Sequence, residues 1–134
     1  MTVNPQSPPA SPAPSPPEPV VRISSDSLAD EGRFSRFELI SWWDQERMRK
    51  AKVLVIGAGA LGNEIVKNCA LLGIGNVLVA DLDAVENSNL SRSVLFRAGD
   101  NGAPKAATAC RSARDIFPEM NIHPFIGNIV HDLG

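Results

Sequence analysis

The chain has 134 residues, of which 43% are hydrophobic and 21% are charged, and its formal net charge is −2. This length allows at most one ordinary domain. Residues 33–134 hold 12 basic and 11 acidic side chains, and this near-balance argues against a dedicated nucleic-acid-binding protein. Because no apolar run is long enough to span a bilayer and the N-terminus lacks the regions of a signal peptide, we expect a cytoplasmic protein with no nucleic-acid or membrane partner.

Prolines divide the chain into two parts. Eight of the eleven prolines lie within residues 1–19, where almost no large apolar side chain is present to offset the entropy of ordering. We therefore predict a proline-rich disordered tail and linker over residues 1–32, either flexible or acting as a ligand of SH3-type domains. The folded part is predicted over residues 33–134, where Trp42 and Trp43 are expected to close the core or a subunit contact.

A strand–helix–strand unit follows a short helix that Asp44 is placed to cap. The continuous apolar run over residues 52–56 predicts a strand that is buried on both faces. Apolar residues then recur at helical steps, which predicts a helix ending at Gly73. The predicted buried face of this helix consists of Leu61, Ile65, Cys69 and Leu72. A second apolar run over residues 77–80 completes the unit, whose crossover makes the two strands parallel.

A further helix and strand are predicted downstream. Pro104 and Lys105 open the helix, and residues 122–126 form a third strand, in which Pro124 suits an edge position. The predicted buried face of the helix consists of Ala106, Ala109, Cys110, Ala113 and Phe117. These elements predict an α/β fold with a Rossmann-like doubly wound parallel sheet, truncated after its third strand. Cys69 and Cys110 are too few and too far apart for a disulfide scaffold or a CxxC zinc site, so we expect both in the core.

A glycine-rich loop joins the first strand to its helix. Residues 57–62 read GAGALG, which fits the GxGxxG pattern in the strand–turn–helix context that a nucleotide site requires. Gly57, Gly59 and Gly62 allow a sharp turn and a close approach of backbone to ligand, while the helix N-terminus favours a phosphate. Asp81 ends the second strand, where a carboxylate is placed to accept hydrogen bonds from ribose hydroxyls.

The segment after Asp81 is unusual for a dinucleotide-binding domain, because it is rich in polar side chains. Asn89 and Arg92 are three residues apart and project to one side of a helical turn, and Lys105 begins another helix. Two cations and a neutral amide donor are suited to surround a triphosphate. The alternative interpretation of the segment is a solvated loop with ordinary surface charges.

Several linked motifs resemble the ubiquitin-activating enzyme family in its bacterial ThiF/MoeB form, over the N-terminal half of the adenylation domain. The motifs are RFSR at 33–36, the glycine loop, GIGNVLVADLDAVENSNLSR at 73–92, LF at 95–96 and PKA at 104–106. This resemblance implies adenylation of a carboxylate, usually the C-terminal glycine of a ubiquitin-like or sulfur-carrier protein, with ATP and Mg²⁺. It also implies a homodimer.

The same resemblance assigns roles to individual residues. The glycines would lie along the nucleotide, Asp81 would hold the ribose, and Asp83 would belong to the same cofactor-binding set. The residues implied to contact phosphates are Asn89, Arg92 and Lys105, and Arg36 would reach the ATP of a partner subunit. Arg92, Lys105 and Arg36 are therefore the catalytic candidates.

The sequence also departs from the family's pattern. Ala60 replaces a glycine in the loop, and Ser93 stands where the family generally has glutamine after the arginine. The resemblance implies a magnesium-binding aspartate, a cysteine nucleophile and CxxC zinc pairs beyond residue 134, so we expect no metal ligand in this chain. His123 and His131 lack a second ligand at useful spacing and are expected to be surface or core residues.

The preferred function is ATP-dependent adenylation of a carboxylate. The first alternative is an NAD-dependent oxidoreductase built on the same fold, which the set Asn89, Arg92 and Lys105 disfavours. The second is a non-catalytic subunit or remnant that binds nucleotide or a partner without turnover.

Overall fold

The computed structural model describes residues 32–132, so the predicted tail lies outside the described residues except for Gly32. A 3₁₀ helix over Ser35–Leu39 precedes the regular elements. These elements are, in chain order, α1 (Gln45–Lys50), β1 (Lys52–Ile56), α2 (Ala60–Leu72), β2 (Asn76–Ala80), α3 (Lys105–Ile116), β3 (Asn121–Phe125) and α4 (Ile129–Asp132). None of the helices within residues 32–132 has the length and apolar content needed to cross a membrane.

The three strands form one parallel sheet in the order β1-β2-β3. Val53 lies opposite Val77, and Val77 lies opposite Ile122. The predicted Rossmann-like α/β architecture is therefore confirmed. Pro124 lies on the outer strand β3, where its missing N–H interrupts no pairing with a further strand among the described residues.

The ends of α1 and α2 follow from local chemistry. Asp44 caps α1, and its Oδ1 accepts a hydrogen bond of 3.0 Å from the backbone N–H of Arg47. Gly73 ends α2 in the left-handed conformation with φ of +72°. The N–H of Ile74 then donates to the carbonyl of Cys69 at 2.9 Å, which satisfies an otherwise free helix-end carbonyl. Both predicted ends are confirmed.

The core lies between one face of the sheet and the helices α2 and α3, which pack against each other. All five residues predicted to line the buried face of α3 are buried. Cys69 and Cys110 are both buried, as predicted. Burial raises the pKa of the Cys110 thiol to about 11 and also raises that of Cys69, so both thiols are neutral at physiological pH.

The prediction that β1 is buried on both faces is wrong, since Leu54 is 47% exposed and Ile56 is 66% exposed. The predicted face of α2 is also wrong at two positions, because Leu61 and Ile65 are exposed. The exposure of Leu54 and Ile56 follows from the arrangement of the helices. The helices α2 and α3 pack against a single face of the sheet, and no element within residues 32–132 covers the opposite face of β1.

The face that α2 turns to the sheet consists of smaller residues. Its buried residues are Gly62, Asn63, Val66, Cys69 and Ala70. The two tryptophans also depart from expectation, because Trp42 is 73% exposed whereas Trp43 is half-buried. The ring of Trp43 lies 4.6 Å from that of Phe37, and its indole N–H donates to Gln45 Oε1 at 2.9 Å. Trp42 therefore does not close the core formed by residues 32–132.

Candidate functional site

The glycine loop turns between β1 and α2 at the carboxyl end of the sheet. Gly57 has φ of +89°, a conformation that favours glycine, and its N–H donates to the carbonyl of Ala80 at 2.7 Å. A Cβ on Gly62 would overlap the carbonyl oxygen of Gly57, so this glycine lets the helix pack closely on the loop. Gly59 faces open space and caps α2 without a side-chain hydrogen bond. The N-terminal amides and dipole of α2 are thus available to an anion.

Asp81 is fixed at the edge of the same loop. Its Oδ2 accepts a hydrogen bond of 2.6 Å from the N–H of Ala58, and its Oδ1 accepts one of 2.7 Å from the N–H of Asp83. The carboxylate therefore joins the glycine loop to the segment after β2. Because a carboxylate has about four acceptor positions, both oxygens retain capacity for donors such as sugar hydroxyls.

A pocket of about 270 Å³ opens beside Asp81, where the strands end. Its lining residues are Ile56, Gly57, Ala80, Asp81, Leu82, Asp83, Gly127, Asn128 and Ile129. Ligands of open α/β sheets bind at this edge. The sequence placed Gly57, Asp81 and Asp83 in the candidate site, but it did not single out residues 127–129, whose only signal was their position directly after the third strand.

Lys105 is held next to Asp83. Its Nζ lies 3.1 Å from Asp83 Oδ2, and its backbone N–H donates to the carbonyl of Asp83 at 2.9 Å. The side chain of Lys105 is only 14% exposed. The start of α3 is therefore tied to the segment after β2, and the lysine ammonium is oriented within reach of the pocket edge that Asp83 lines.

Asn89 and Arg92 form a second group, in a segment that does not line this pocket. Asn89 is buried, and its Oδ1 accepts a hydrogen bond of 3.1 Å from the N–H of Glu86. Arg92 is exposed, and its guanidinium donates to the carbonyl of Ser88 at 2.7 Å. The N–H of Arg92 donates to the carbonyl of Asn89, so the two residues share one turn. The amide oxygen of Asn89 shapes this turn in the present structure.

Asn63 is a buried polar residue that the sequence analysis missed. Its Nδ2 donates to the carbonyl of Ala58 at 2.7 Å, and its Oδ1 accepts from the N–H of Leu95 at 2.8 Å. The side chain thus joins the glycine loop to the segment that follows Arg92. The available signal was its place one residue after Gly62, on the side of α2 that the glycine packing turns inward.

Arg36 lies far from the glycine loop of its own chain. It is exposed on the 3₁₀ helix, and Phe34, two residues earlier, packs close to Gly73, at the carboxyl end of α2. The glycine loop lies at the other end of α2, and 13 helical residues span about 20 Å. An arginine side chain does not bridge that length.

The two departures from the family pattern fit the backbone differently. Ala60 is the first residue of α2, and no non-glycine residue within 32–132 has a positive φ, so the loop does not need glycine there. The Oγ of Ser93 is buried without a hydrogen-bond partner. This orphaned hydroxyl stands where the family resemblance implies a longer amide side chain.

The histidines do not build a metal site. His123 is exposed, and its Nε2 lies 2.8 Å from Asn121 Oδ1. Within residues 32–132, no three His, Cys, Asp or Glu side chains converge to hold a metal ion.

Comparison with known proteins places these features in one family. The ThiF family matches residues 32–133. The chain is 44% identical over 85 residues to human ubiquitin-like modifier-activating enzyme 7, a match covering 60% of this chain and 8% of that protein. It is 46% identical over 80 residues to the Nedd8-activating enzyme E1 catalytic subunit of Drosophila melanogaster, covering 60% of this chain and 18% of that one.

A crystal structure of E. coli MccB with ATP matches with a TM-score of 0.71 at 30% identity. The match covers 80% of this chain and 34% of the MccB chain. This chain therefore spans less than a fifth of the two curated relatives and about a third of MccB. Because the family match spans residues 32–133, about three quarters of the sequence, the chain belongs to the ThiF family.

Proposed function

We propose that this chain provides the nucleotide-binding part of an enzyme that adenylates a carboxylate with ATP. The carboxylate is the C-terminal glycine of a ubiquitin-like or sulfur-carrier protein. The observation that supports this most directly is the joint placement of the uncapped α2 N-terminus and the fixed Asp81 carboxylate at one edge of the sheet. The names of the relatives, which activate ubiquitin-like modifiers, support the substrate class.

Different residues of the chain would bind the phosphates and the ribose of ATP. The amides of the glycine loop and of α2 would receive phosphate oxygens, and Asp81 would accept hydrogen bonds from the ribose. ATP supplies the α-phosphorus: a carboxylate oxygen attacks it, the bond to the β-phosphate oxygen breaks, and pyrophosphate leaves. Mg²⁺ is expected to accompany ATP, with its main protein ligand outside the described residues.

Cationic side chains would neutralise the departing pyrophosphate. Lys105 would exchange its contact with Asp83 for a phosphate oxygen, which is favourable because a phosphate offers more negative charge than one exposed carboxylate. Arg92 and Asn89, which share one turn in the segment after β2, would also approach the pyrophosphate. Catalysis of this kind depends on positioning and electrostatic stabilisation without a covalent bond to protein.

Nucleotide binding tests the proposal. By titration calorimetry, ATP with Mg²⁺ should bind to the 134-residue chain and NAD⁺ should not. Lys105→Ala should weaken ATP binding roughly tenfold to a hundredfold, because a lost charge-assisted hydrogen bond costs about 1.5–3 kcal/mol. Lys67→Ala is the matched control, since Lys67 pairs with Glu64 on the surface of α2.

Other outcomes would favour the two alternatives. Tighter binding of NAD⁺ than of ATP would support the oxidoreductase, and binding of neither would support a non-catalytic remnant. Equal ATP affinity in Lys105→Ala and wild type would show that Lys105 does not contact the nucleotide.

The position of Arg36 supports a shared site in a homodimer. Since this residue lies at the opposite end of α2 from its own glycine loop, it would serve the nucleotide of a second subunit. Arg36→Ala and Lys105→Ala subunits should then complement each other. After random mixing, half of the dimers are hybrids with one intact site each, so about a quarter of all sites should regain wild-type ATP affinity. If subunits exchange and no site recovers, Arg36 does not act in trans.

A further inference from the structure

A shallow groove lies on the side of the molecule that carries α1, away from the glycine loop. We call it the tryptophan groove, and its volume is about 370 Å³. It is lined by Trp42, Trp43, Asp44, Arg47, Met48 and Ala51. Trp42 is 73% exposed, an unusual position for so large an apolar side chain.

Aromatic contacts and one hydrogen bond hold the base of the groove. The ring of Trp43 packs on Phe37 and is held by its hydrogen bond to Gln45, and Trp42 lies 6.2 Å from Trp43 at an interplanar angle of 57°. Two tilted indole rings beside a methionine form the aromatic surface on which proline rings pack in polyproline II recognition. The groove therefore fits a proline-rich segment.

The chain itself contains such a segment. Residues 14–19 read PSPPEP, so Pro14 and Pro17 are three residues apart, as are Pro16 and Pro19. Polyproline II has three residues per turn, and prolines at this spacing lie on one side of it. We propose that residues 14–19 of this chain dock in the tryptophan groove of the same molecule.

The linker between the proline segment and Gly32 is long enough for this docking. Twelve residues, 20–31, join the proline segment to Gly32, and they reach at most about 40 Å when fully extended. The path from Phe34 to Trp42 is short, since the rings of Phe34, Phe37, Trp43 and Trp42 follow one another with centroids 6.2, 4.6 and 6.2 Å apart. A tether of this kind gives an effective concentration in the millimolar range, so even a weak contact is populated.

Charge favours the same arrangement. Residues 1–31 contain four acidic side chains and one basic side chain, whereas α1 contributes Arg47, Arg49 and Lys50 against one glutamate. No carboxylate within residues 32–132 makes a salt bridge with the guanidinium of Arg47. The groove also holds Asp44, whose carboxylate accepts the N–H of Arg47. Glu18, between Pro17 and Pro19, is thus placed to pair with Arg47.

Intrinsic fluorescence provides a direct test, because the chain has two tryptophans and no tyrosine and both tryptophans line the groove. Replacing Pro14, Pro16, Pro17 and Pro19 by alanine should shift the emission to longer wavelength and raise the acrylamide quenching constant about twofold, as Trp42 becomes accessible to solvent. The matched control is the double variant Pro5→Ala and Pro8→Ala, which should leave both quantities unchanged.

Charge reversal tests how residues 14–19 are positioned along the tryptophan groove. Arg47→Glu should raise quenching, Arg49→Glu should not, and adding Glu18→Arg to Arg47→Glu should restore the wild-type value. Far-UV circular dichroism and the melting temperature verify that each variant is folded. Unchanged emission and quenching in the folded proline variant would overturn the proposal.

Dilution distinguishes the tail of the same molecule from that of a second copy. Docking within one molecule does not depend on protein concentration, so quenching should be constant over a hundredfold dilution. A rise in quenching on dilution would show docking between molecules and would also overturn the proposal. The outcome is independent of ATP binding, so it does not depend on the proposed function.

Discussion

At the scale of single residues, helix propensity and steric overlap have opposite effects on a substitution of Gly62. Gly62→Ala would gain about 1 kcal/mol of helix propensity, but its Cβ would overlap the backbone carbonyl of Gly57. Overpacking costs about 1–3 kcal/mol or more, and a backbone atom in a fixed turn cannot move aside as a flexible side chain can. We therefore expect Gly62→Ala to lower the melting temperature by several degrees, measured by circular dichroism.

Gly59→Ala is the matched control for this prediction. A Cβ at position 59 meets no atom within 4 Å, and the residue has an ordinary φ of −70°. Its melting temperature should fall less than that of Gly62→Ala, because alanine is only a poorer N-cap residue than glycine and overlaps no backbone atom. Its added methyl group would project into the open space proposed for phosphate. A stable Gly62→Ala variant would contradict the close-packing role of this glycine.

At the scale of elements, Asp100 joins the segment before α3 to α3 itself. It is 7% exposed, one oxygen accepts the N–H of Arg97 at 2.7 Å, and the other accepts the guanidinium of Arg111. Burial opposes ionisation of this carboxyl, but the hydrogen bonds and charges of the two arginines outweigh it and hold the pKa of Asp100 below its ordinary value of 3.8. The ionised form is thus favoured in the folded state.

The lowered pKa of Asp100 makes the stability of the fold depend on pH. The unfolded carboxyl takes up its proton at a higher pH than the folded one does. The stabilisation from Asp100 is therefore complete above about pH 5 and is lost progressively as pH falls through the unfolded pKa and then through the lower folded pKa. Urea midpoints of the wild type should therefore decline more steeply between pH 5 and pH 3 than those of Asp100→Asn. The exposed Asp115→Asn, on the same helix, should retain the wild-type slope, and equal slopes in all three proteins would refute the assignment.

The elements also show what can be predicted from sequence. The β1–α2–β2 unit, the α3 face and the Asp44 and Gly73 ends were predictable, because periodicity and capping depend on neighbouring residues. The side of α2 that meets the sheet was not, since the contact between Gly62 and Gly57 outweighs the larger apolar stripe of Leu61 and Ile65. The links Asn63–Leu95 and Lys105–Asp83 join residues 32 and 22 positions apart, and local pattern does not specify such pairs.

At the scale of the whole molecule, the sheet has one uncovered apolar region beside β1. Leu54 and Ile56 on β1 and Leu61 and Ile65 on α2 are 47%, 66%, 75% and 40% exposed, and β1 pairs only with β2 among residues 32–132. Monomeric proteins rarely expose a contiguous patch of this kind. An unpaired strand edge flanked by such residues is also a template for pairing with another chain.

We therefore expect the 134-residue chain to self-associate through this edge. Sedimentation velocity should show species larger than a monomer whose fraction rises with concentration, and the double variant Ile56→Lys and Leu61→Glu should shift the distribution toward monomer. Leu71→Glu, at an exposed position near the other end of α2, should have no such effect. A wild-type chain that remains a monodisperse monomer at high concentration, melts in a single sharp transition and protects the amides of β1 from hydrogen exchange would contradict the prediction.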